Sequence, residues 1–386
     1  MHVVLEYNSV LHSRFSGMYT AGQGLLSGLV QHSQISRVTL LAWKNLLQKS
    51  GDFPLRSHPK VRVIETAIRP RRLNIAWRIA GWPKLSRWVG DFDVYHSLHH
   101  LMPPCEDRPR VLTVHDLRRY RLGELAAHSK VAAFERAVRA ADRILAISQS
   151  AKDDLVEILH VPADKVDVAY LAAADDFVPA TSPQRRDTLG WLSKLAGKRV
   201  GSYVLSVGSL DRRKNIPAAI QGFAHALPQL PTDASLVLAG EMPKDVDVAD
   251  LIRQSQLQGR VILTGVLAQP HFQALLACAV SFLFLSLYEG FGLPLLEAMA
   301  SGVPVIGAIN SCIPEVVGKA GLLVGSGDAA GIGAAIVDLA RDDARRAQFI
   351  AAGFQRKADF SWQRTADAAV ACYQRAIESR RTCTRR

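Results

Sequence analysis

Short apolar runs recur along this chain, separated by longer stretches whose apolar residues fall at helical spacing. In the first half the runs are Val3 to Tyr7, Val38 to Trp43, Val61 to Glu65, Val94 to Ser97, Val111 to Val114 and Arg143 to Ile147. In the second half they are Tyr203 to Val207, Ser235 to Ala239, Val261 to Gly265, Val280 to Leu285 and Val303 to Gly307. Runs this short and this uniformly apolar predict strands buried on both faces, and strands alternating with helices predict stacked α/β units around parallel sheets. Near residues 180 to 200 the pattern is interrupted by Pro179, Pro183, Arg185, Arg186 and Asp187, which predicts a boundary between two domains. The chain thus reads as α/β, with domains at 1–190 and 191–365, a closing helix from Trp362 to Ile377, and a terminal segment 366–386 that carries part of that helix and a basic tail.

Length and composition agree with this division. A chain of 386 residues exceeds what one core ordinarily organises. With 48% hydrophobic and 21% charged residues it has ample material for cores. No apolar run reaches the roughly 18 residues of a membrane span, the nearest being Ala274 to Tyr288, where a helix end runs into a strand. Met1 to Tyr7 reads as a strand rather than a signal peptide, and the five cysteines show neither a C-x-x-C pair nor metal-finger spacing, so a cytoplasmic protein is expected. The excess of 47 basic over 35 acidic side chains leaves +12, which implies an anionic partner. Nucleic acid, acidic lipid and nucleoside diphosphate all satisfy that condition.

The densest chemistry lies at Glu289-Gly290-Phe291-Gly292-Leu293-Pro294-Leu295-Leu296-Glu297, where a buried strand gives way to a helix. Glycine lets backbone approach a ligand, Pro294 suits the first helical turn, and the helix start favours a phosphate. Two carboxylates beside it can accept sugar hydroxyls, so the stretch reads as a nucleotide-sugar site. The competing structural account has the glycines making a tight turn and Glu297 charging an exposed helix face. A second motif, Ser206-Val-Gly-Ser-Leu-Asp-Arg-Arg-Lys-Asn-Ile-Pro217, places a basic loop between strand and helix, where Lys214 and a neighbouring arginine can neutralise a diphosphate leaving group. In Leu112-Thr-Val-His115-Asp116-Leu117, a histidine ends a short strand, again where open α/β sheets place ligands.

Other patterns exclude activities. His96, His99 and His100 are zinc-ligand types, but no carboxylate or cysteine accompanies them, so no metal is expected and a wall of an acceptor cleft is preferred. Gly22-x-Gly24-x3-Gly28 misses the dinucleotide fingerprint, since the long first loop, Asn8 to Gly24, separates it from the strand and no ribose-binding acid follows. There is neither a Walker loop nor a G-x-S-x-G elbow.

The run from Tyr288 to Ile306 resembles the E-x7-E signature of the retaining glycosyltransferases of family 4, in spacing and flanks alike. That resemblance implies the GT-B fold, two Rossmann-like doubly wound domains facing across a cleft. Arg136 to Leu155, in which Ser150 with Asp153 is read as a helix cap, and Asn310 to Val324, which resembles the segment closing the donor site, extend it along the chain. By resemblance, Lys214 takes the place of a basic residue that contacts donor phosphates. Many relatives carry arginine after the glycine where this chain has Ser209, so Arg212 or Arg213 supplies the second charge. Thr113-Val-His115-Asp116 resembles the family's T-x-H-D segment, whose histidine lies near the donor sugar, and leaves Asp116 for acceptor contact or ring orientation.

The implied catalytic set is His115, Glu289 and Lys214. The implied donor contacts are Gly17, Ser209, Arg213, Lys214, Gly290, Phe291, Gly292, Leu293 and Glu297, with Glu289 on the sugar and Glu297 on the ribose. No cofactor and no metal is expected, the nucleoside diphosphate sugar being a co-substrate. The expected activity moves a hexose, first mannose from GDP-mannose, to a saccharide or lipid-linked saccharide of cell-surface polysaccharide or lipopolysaccharide. A sugar-nucleotide epimerase of the same fold and a noncatalytic membrane or polyanion binder are the alternatives.

One stretch falls outside this scheme. Arg69, Arg71, Arg72, Arg78, Lys84 and Arg87 alternate with Trp77, Trp82 and Trp88, a combination suited to an anionic membrane surface on the cytoplasmic side. The alternative makes the tryptophans core or cleft residues beside a solvated basic face. Nucleic acid is not an expected partner, because no nucleic-acid module is recognisable. The arginine tail, Arg380, Arg381, Arg385 and Arg386, is expected to be disordered.

Overall fold

The expected strands form two separate parallel sheets. The computed structural model describes residues 1–12, 17–50, 53–66, 73, 76–77, 80–105, 108–123, 128–242 and 246–384. In the first sheet β1 (His2–Glu6), β2 (Arg37–Trp43), β3 (Val61–Thr66), β4 (Val94–Ser97), β5 (Arg110–Val114), β6 (Arg143–Ala146) and β7 (Val166–Val168) lie in the order β3-β2-β1-β4-β5-β6-β7. In the second, β8 (Ser202–Val207), β9 (Ala234–Ala239), β10 (Val261–Gly265), β11 (Ser281–Phe284), β12 (Val305–Ala308) and β13 (Gly321–Val324) run β10-β9-β8-β11-β12-β13. All pairings are parallel, as between β1 and β2 and between β8 and β11. Strand order reverses direction between β1 and β4 and again between β8 and β11. Such reversals open a crevice at the carboxyl ends of the strands, where doubly wound sheets take ligands.

The chain divides into two units, Met1–Ala172 with Phe360–Arg386, and Ala173–Asp359. This division falls earlier than the 190/191 boundary read from the sequence. The reason is the helix Ser182–Ala196, which packs on β10 and on the helix Gln269–Ala277. Its Arg185 donates from Nη1 to the Cys278 carbonyl at 3.1 Å.

The last helix, Trp362–Thr384, lies on the first unit, against its sheet and the helix Gly17–Gln31. Thr365 Oγ1 donates to the Tyr170 carbonyl at 2.6 Å, and Arg375 and Arg380 pair with Asp167 and Asp142. Arg380 is therefore anchored rather than part of a disordered tail. The predicted first loop is a correction as well, since Asn8–His12 and Gly17–Gln31 are helices. Their glycines serve packing. A Cβ on Gly24 would sit 2.1 Å from the Trp362 ring, and one on Gly28 would sit 2.3 Å from the Trp362 carbonyl oxygen. A further correction concerns the helix Gln149–Leu159, which is capped by Ser148, accepting from Ala151 N at 3.0 Å, and not by Ser150.

Gly28→Val should lower stability by about 1–3 kcal/mol, because its neighbour is backbone and cannot rotate away. Gly190→Ala, on the helix Ser182–Ala196 with nothing within 4 Å, should instead be neutral or raise stability by up to about 1 kcal/mol. Urea unfolding of the two variants beside the parent protein measures both signs.

Candidate functional site

Two loops of the second unit meet at the β8/β11 reversal. After β8 the chain makes a short 3-10 turn at Arg212–Lys214, capped by Asp211, whose carboxylate accepts from Lys214 N at 3.2 Å. It ends at Asn215, in the left-handed region at φ 56°, whose Nδ2 donates to the Ser326 carbonyl at 2.7 Å. This turn sends the Lys214 side chain back beneath Gly208, where a Cβ would come within 2.6 Å of Lys214 Cε. Gly208 in turn lies against Gly240, where a Cβ would overlap the Gly208 carbonyl oxygen at 1.7 Å. Gly208 thus opens the room that the lysine fills, and Gly240 lets the Gly208 backbone lie against the neighbouring strand end.

Lys214 Nζ stands 4.6 Å over the Phe284 ring and donates to Glu289 Oε1 at 2.7 Å. Arg213 pairs with the same oxygen. Burial alone would push the Glu289 carboxyl up, but the charges of Lys214 and Arg213 outweigh it and hold the group below its ordinary value. A carboxyl depressed in the folded state stabilises above its unfolded pKa, so this cluster is intact at neutral pH and weakens only as pH falls through the carboxylate range. Two cations against one anion leave a net positive charge, and Arg213 Nε is buried with no hydrogen-bond partner among the described residues. The arrangement is prepared for an anion.

Gly290, Phe291 and Gly292 carry the chain from Glu289 into the helix Leu293–Ala300, with Gly292 at φ 88° in the N-cap position and Pro294 in the first turn. Glu297, on the second turn, is buried at 9% exposure, which overturns the exposed-face account of it. Burial, with a smaller contribution from Asp176, pushes its carboxyl up to about 7. Ser209 is exposed between β8 and Leu210, whose N–H donates to the Glu241 carbonyl at 3.0 Å.

In the first unit His115 follows β5, its Nε2 2.9 Å from the Leu98 carbonyl oxygen. Burial lowers its pKa, only partly offset by Leu98 and Asp116, so the imidazole is neutral at pH 7. It lines a small cavity with Met18, Gly22, Thr113, Ile147 and Thr365. Asp116 accepts from Arg118 N at 3.2 Å, and Gly17 opens the helix Gly17–Gln31 at the surface. His96 is corrected from a cleft wall to a core residue, fully buried between the Tyr373 hydroxyl and Thr113 Oγ1, each at 2.7 Å. The rings of His99 and His100 lie 3.8 Å apart, tilted by 55°, and no group of three or more metal-ligating side chains occurs among the described residues.

Of the tryptophans, Trp77 is buried, donating to the Pro83 carbonyl at 2.9 Å and packing 6.0 Å from Trp88, whereas Trp82 is 58% exposed with Arg87 at 5.9 Å from its ring. Arg69, Arg71, Arg72, Arg78, Arg385 and Arg386 lie outside the described residues. Spacing along the chain gave no signal for the side chains that hold the Glu289 backbone, Ser311 and Cys312, or for Asn310, which holds the nearby Ser286 carbonyl.

A family profile described as glycosyl transferases group 1 matches residues 201–342, and one described as Glycosyltransferase Family 4 matches residues 37–173. O-antigen chain mannosyltransferase B of Escherichia coli is 27% identical over 330 residues, covering 83% of this chain and 81% of that protein. Serotype-specific mannosyltransferase WbdA of Escherichia coli is 30% identical over 256 residues, 65% of this chain but only 30% of WbdA. Sucrose-phosphate synthase from Thermosynechococcus elongatus has a similar fold, with TM-score 0.69 at 18% identity over 98% of this chain and 100% of that one.

A carboxyl raised in the folded state makes the protein lose stability as pH rises from the ordinary glutamic acid value through about 7. Glu297→Gln should therefore stabilise the ligand-free protein at pH 8, by up to about 3 kcal/mol, and change little near pH 4. Denaturant titrations at the two pH values check the sign; equal effects at both would contradict the burial of an ionisable group here.

Proposed function

The chain belongs to glycosyltransferase family 4, and from that membership we propose that it moves mannose from GDP-mannose, with retention, onto a saccharide or lipid-linked saccharide of cell-surface polysaccharide or lipopolysaccharide. The observation that carries a sugar-nucleotide reaction is the Glu289, Lys214 and Arg213 cluster at the strand-order reversal of the second sheet. Mannose as the sugar is supported by similarity to two mannosyltransferases, which the chain resembles over 83% and 65% of its length.

In this proposal the donor diphosphate draws Lys214 and Arg213 toward itself, and Glu289, released from them, accepts the sugar hydroxyls. Glu297 accepts the ribose hydroxyls, and His115, a neutral imidazole whose Nε2–H donates to the Leu98 carbonyl, offers Nδ1 to accept from a sugar hydroxyl. The acceptor oxygen bonds to the anomeric carbon as the bond to the β-phosphate oxygen breaks on the same face. That phosphate oxygen takes the acceptor proton, and GDP leaves. Charge grows on the diphosphate in this step, so cations aimed at it act mainly in the transition state. For a lipid-linked acceptor the enzyme would work at the cytoplasmic membrane surface, a placement supported by the exposed Trp82 beside Arg87.

GDP at 100 times its Kd should stabilise the protein by about 2.7 kcal/mol, read as a rise of several degrees in thermal unfolding, with UDP, ADP and dTDP well behind. Glu289→Ala should lower kcat by about 100-fold or more with little change in GDP affinity, whereas Glu297→Ala should mainly weaken GDP binding. Equal losses in both parameters for Glu289→Ala would contradict its role on the sugar. Conversion of the nucleotide sugar without GDP release would favour an epimerase instead.

A further inference from the structure

The backbone of Glu289 lies beyond the end of β11 at Phe284, so no strand pairing fixes it. Two side chains of the loop after β12 hold it instead, and a third holds the nearby Ser286. Glu289 N donates to Ser311 Oγ at 2.9 Å, Cys312 Sγ donates to the Glu289 carbonyl at 3.2 Å, and Asn310 Nδ2 donates to the Ser286 carbonyl at 3.2 Å. Cys312 is fully buried, which makes its end of the grip rigid. Ser311 adopts φ 44°, a left-handed conformation that carries a steric cost for any residue with a Cβ. Glycine would avoid that cost but could not supply the hydroxyl.

We propose that Ser311 is a positioning residue for Glu289, retaining a strained backbone in order to hold the Glu289 amide during sugar transfer. The carboxylate is tethered on the β8 side by Lys214 and Arg213, and the backbone on the β12 side by Ser311 and Cys312. This inference rests on the role given to Glu289 above. When the donor diphosphate draws the two cations away, the β8 tether is lost and the placing of the carboxylate falls to the contacts that remain, the Ser311 grip on the Glu289 amide foremost among them. The hydroxyl thus matters more with donor bound than without it.

The test sets stability against turnover. Ser311→Gly removes the hydroxyl and the strain, so ligand-free thermal stability should hold or rise while kcat falls by about 10- to 100-fold, with the donor KM within threefold. Ser311→Thr keeps the hydroxyl at a worse backbone fit, so stability should fall while kcat stays near that of the parent. In a Glu289→Gln background, Ser311→Gly should add no further loss, because the group it positions is already disabled. If kcat follows stability across the series, with the glycine variant fully active and the threonine variant impaired, the positioning role is overturned. Should Glu289→Gln alone keep full turnover, the role of Glu289 itself fails, an outcome separate from loss in Glu289→Gln but not in Ser311→Gly.

Discussion

A shared oxygen governs the second unit. Lys214 and Arg213 both bind Glu289 Oε1, and none of the three side chains is more than 15% exposed. Charges withdrawn from water to this degree persist only when neighbours of opposite sign replace the lost hydration. Much of the local sequence follows from that requirement. Gly208 makes room for the lysine stem, Gly240 makes room for Gly208, Phe284 lies beneath the ammonium, and the loops from β8 and β11 adjoin because strand order reverses between them. The carboxylate satisfies the cations, and any anion that bound them would have to compete with it.

The two glutamates of the motif, eight positions apart, occupy opposite electrostatic settings. Glu289 has cations to counter its burial and stays ionised, whereas Glu297 has burial reinforced by Asp176 and shares its proton with solvent near neutrality. Sequence spacing makes them a pair, but their chemistry diverges because one sits where the chain leaves a strand and the other on the inward face of a helix.

Strands with uninterrupted apolar runs were legible in the sequence to within a residue or two, because burial on both faces leaves no room for polar positions. Two strands were not. In β7 the central Asp167 breaks the run, its charge countered by Arg143 and Arg375, and β13 opens on glycine at the sheet edge. The glycines of the first long helix were read as loop because glycine disfavours helix, whereas here Gly24 and Gly28 admit a helix more than three hundred residues away and Gly22 admits Val10. Lys214 and Arg213, placed with Glu289 in one site by resemblance, both reach its carboxylate in the structure. Resemblance marked the segment Asn310 to Val324, but not the contact of Ser311 with Glu289, which depends on two loops that are neighbours only in the folded sheet.

The path of the chain gives the two units unequal standing. The second, Ala173–Asp359, is one uninterrupted stretch, while the first needs both ends of the polypeptide, its final helix returning to cover the glycines of Gly17–Gln31. A unit encoded without interruption can be exchanged between genes by two crossovers and still bring its whole core with it. A unit closed by its own distant terminus cannot, so such an exchange would replace the half that holds Glu289 far more easily than the half that holds His115.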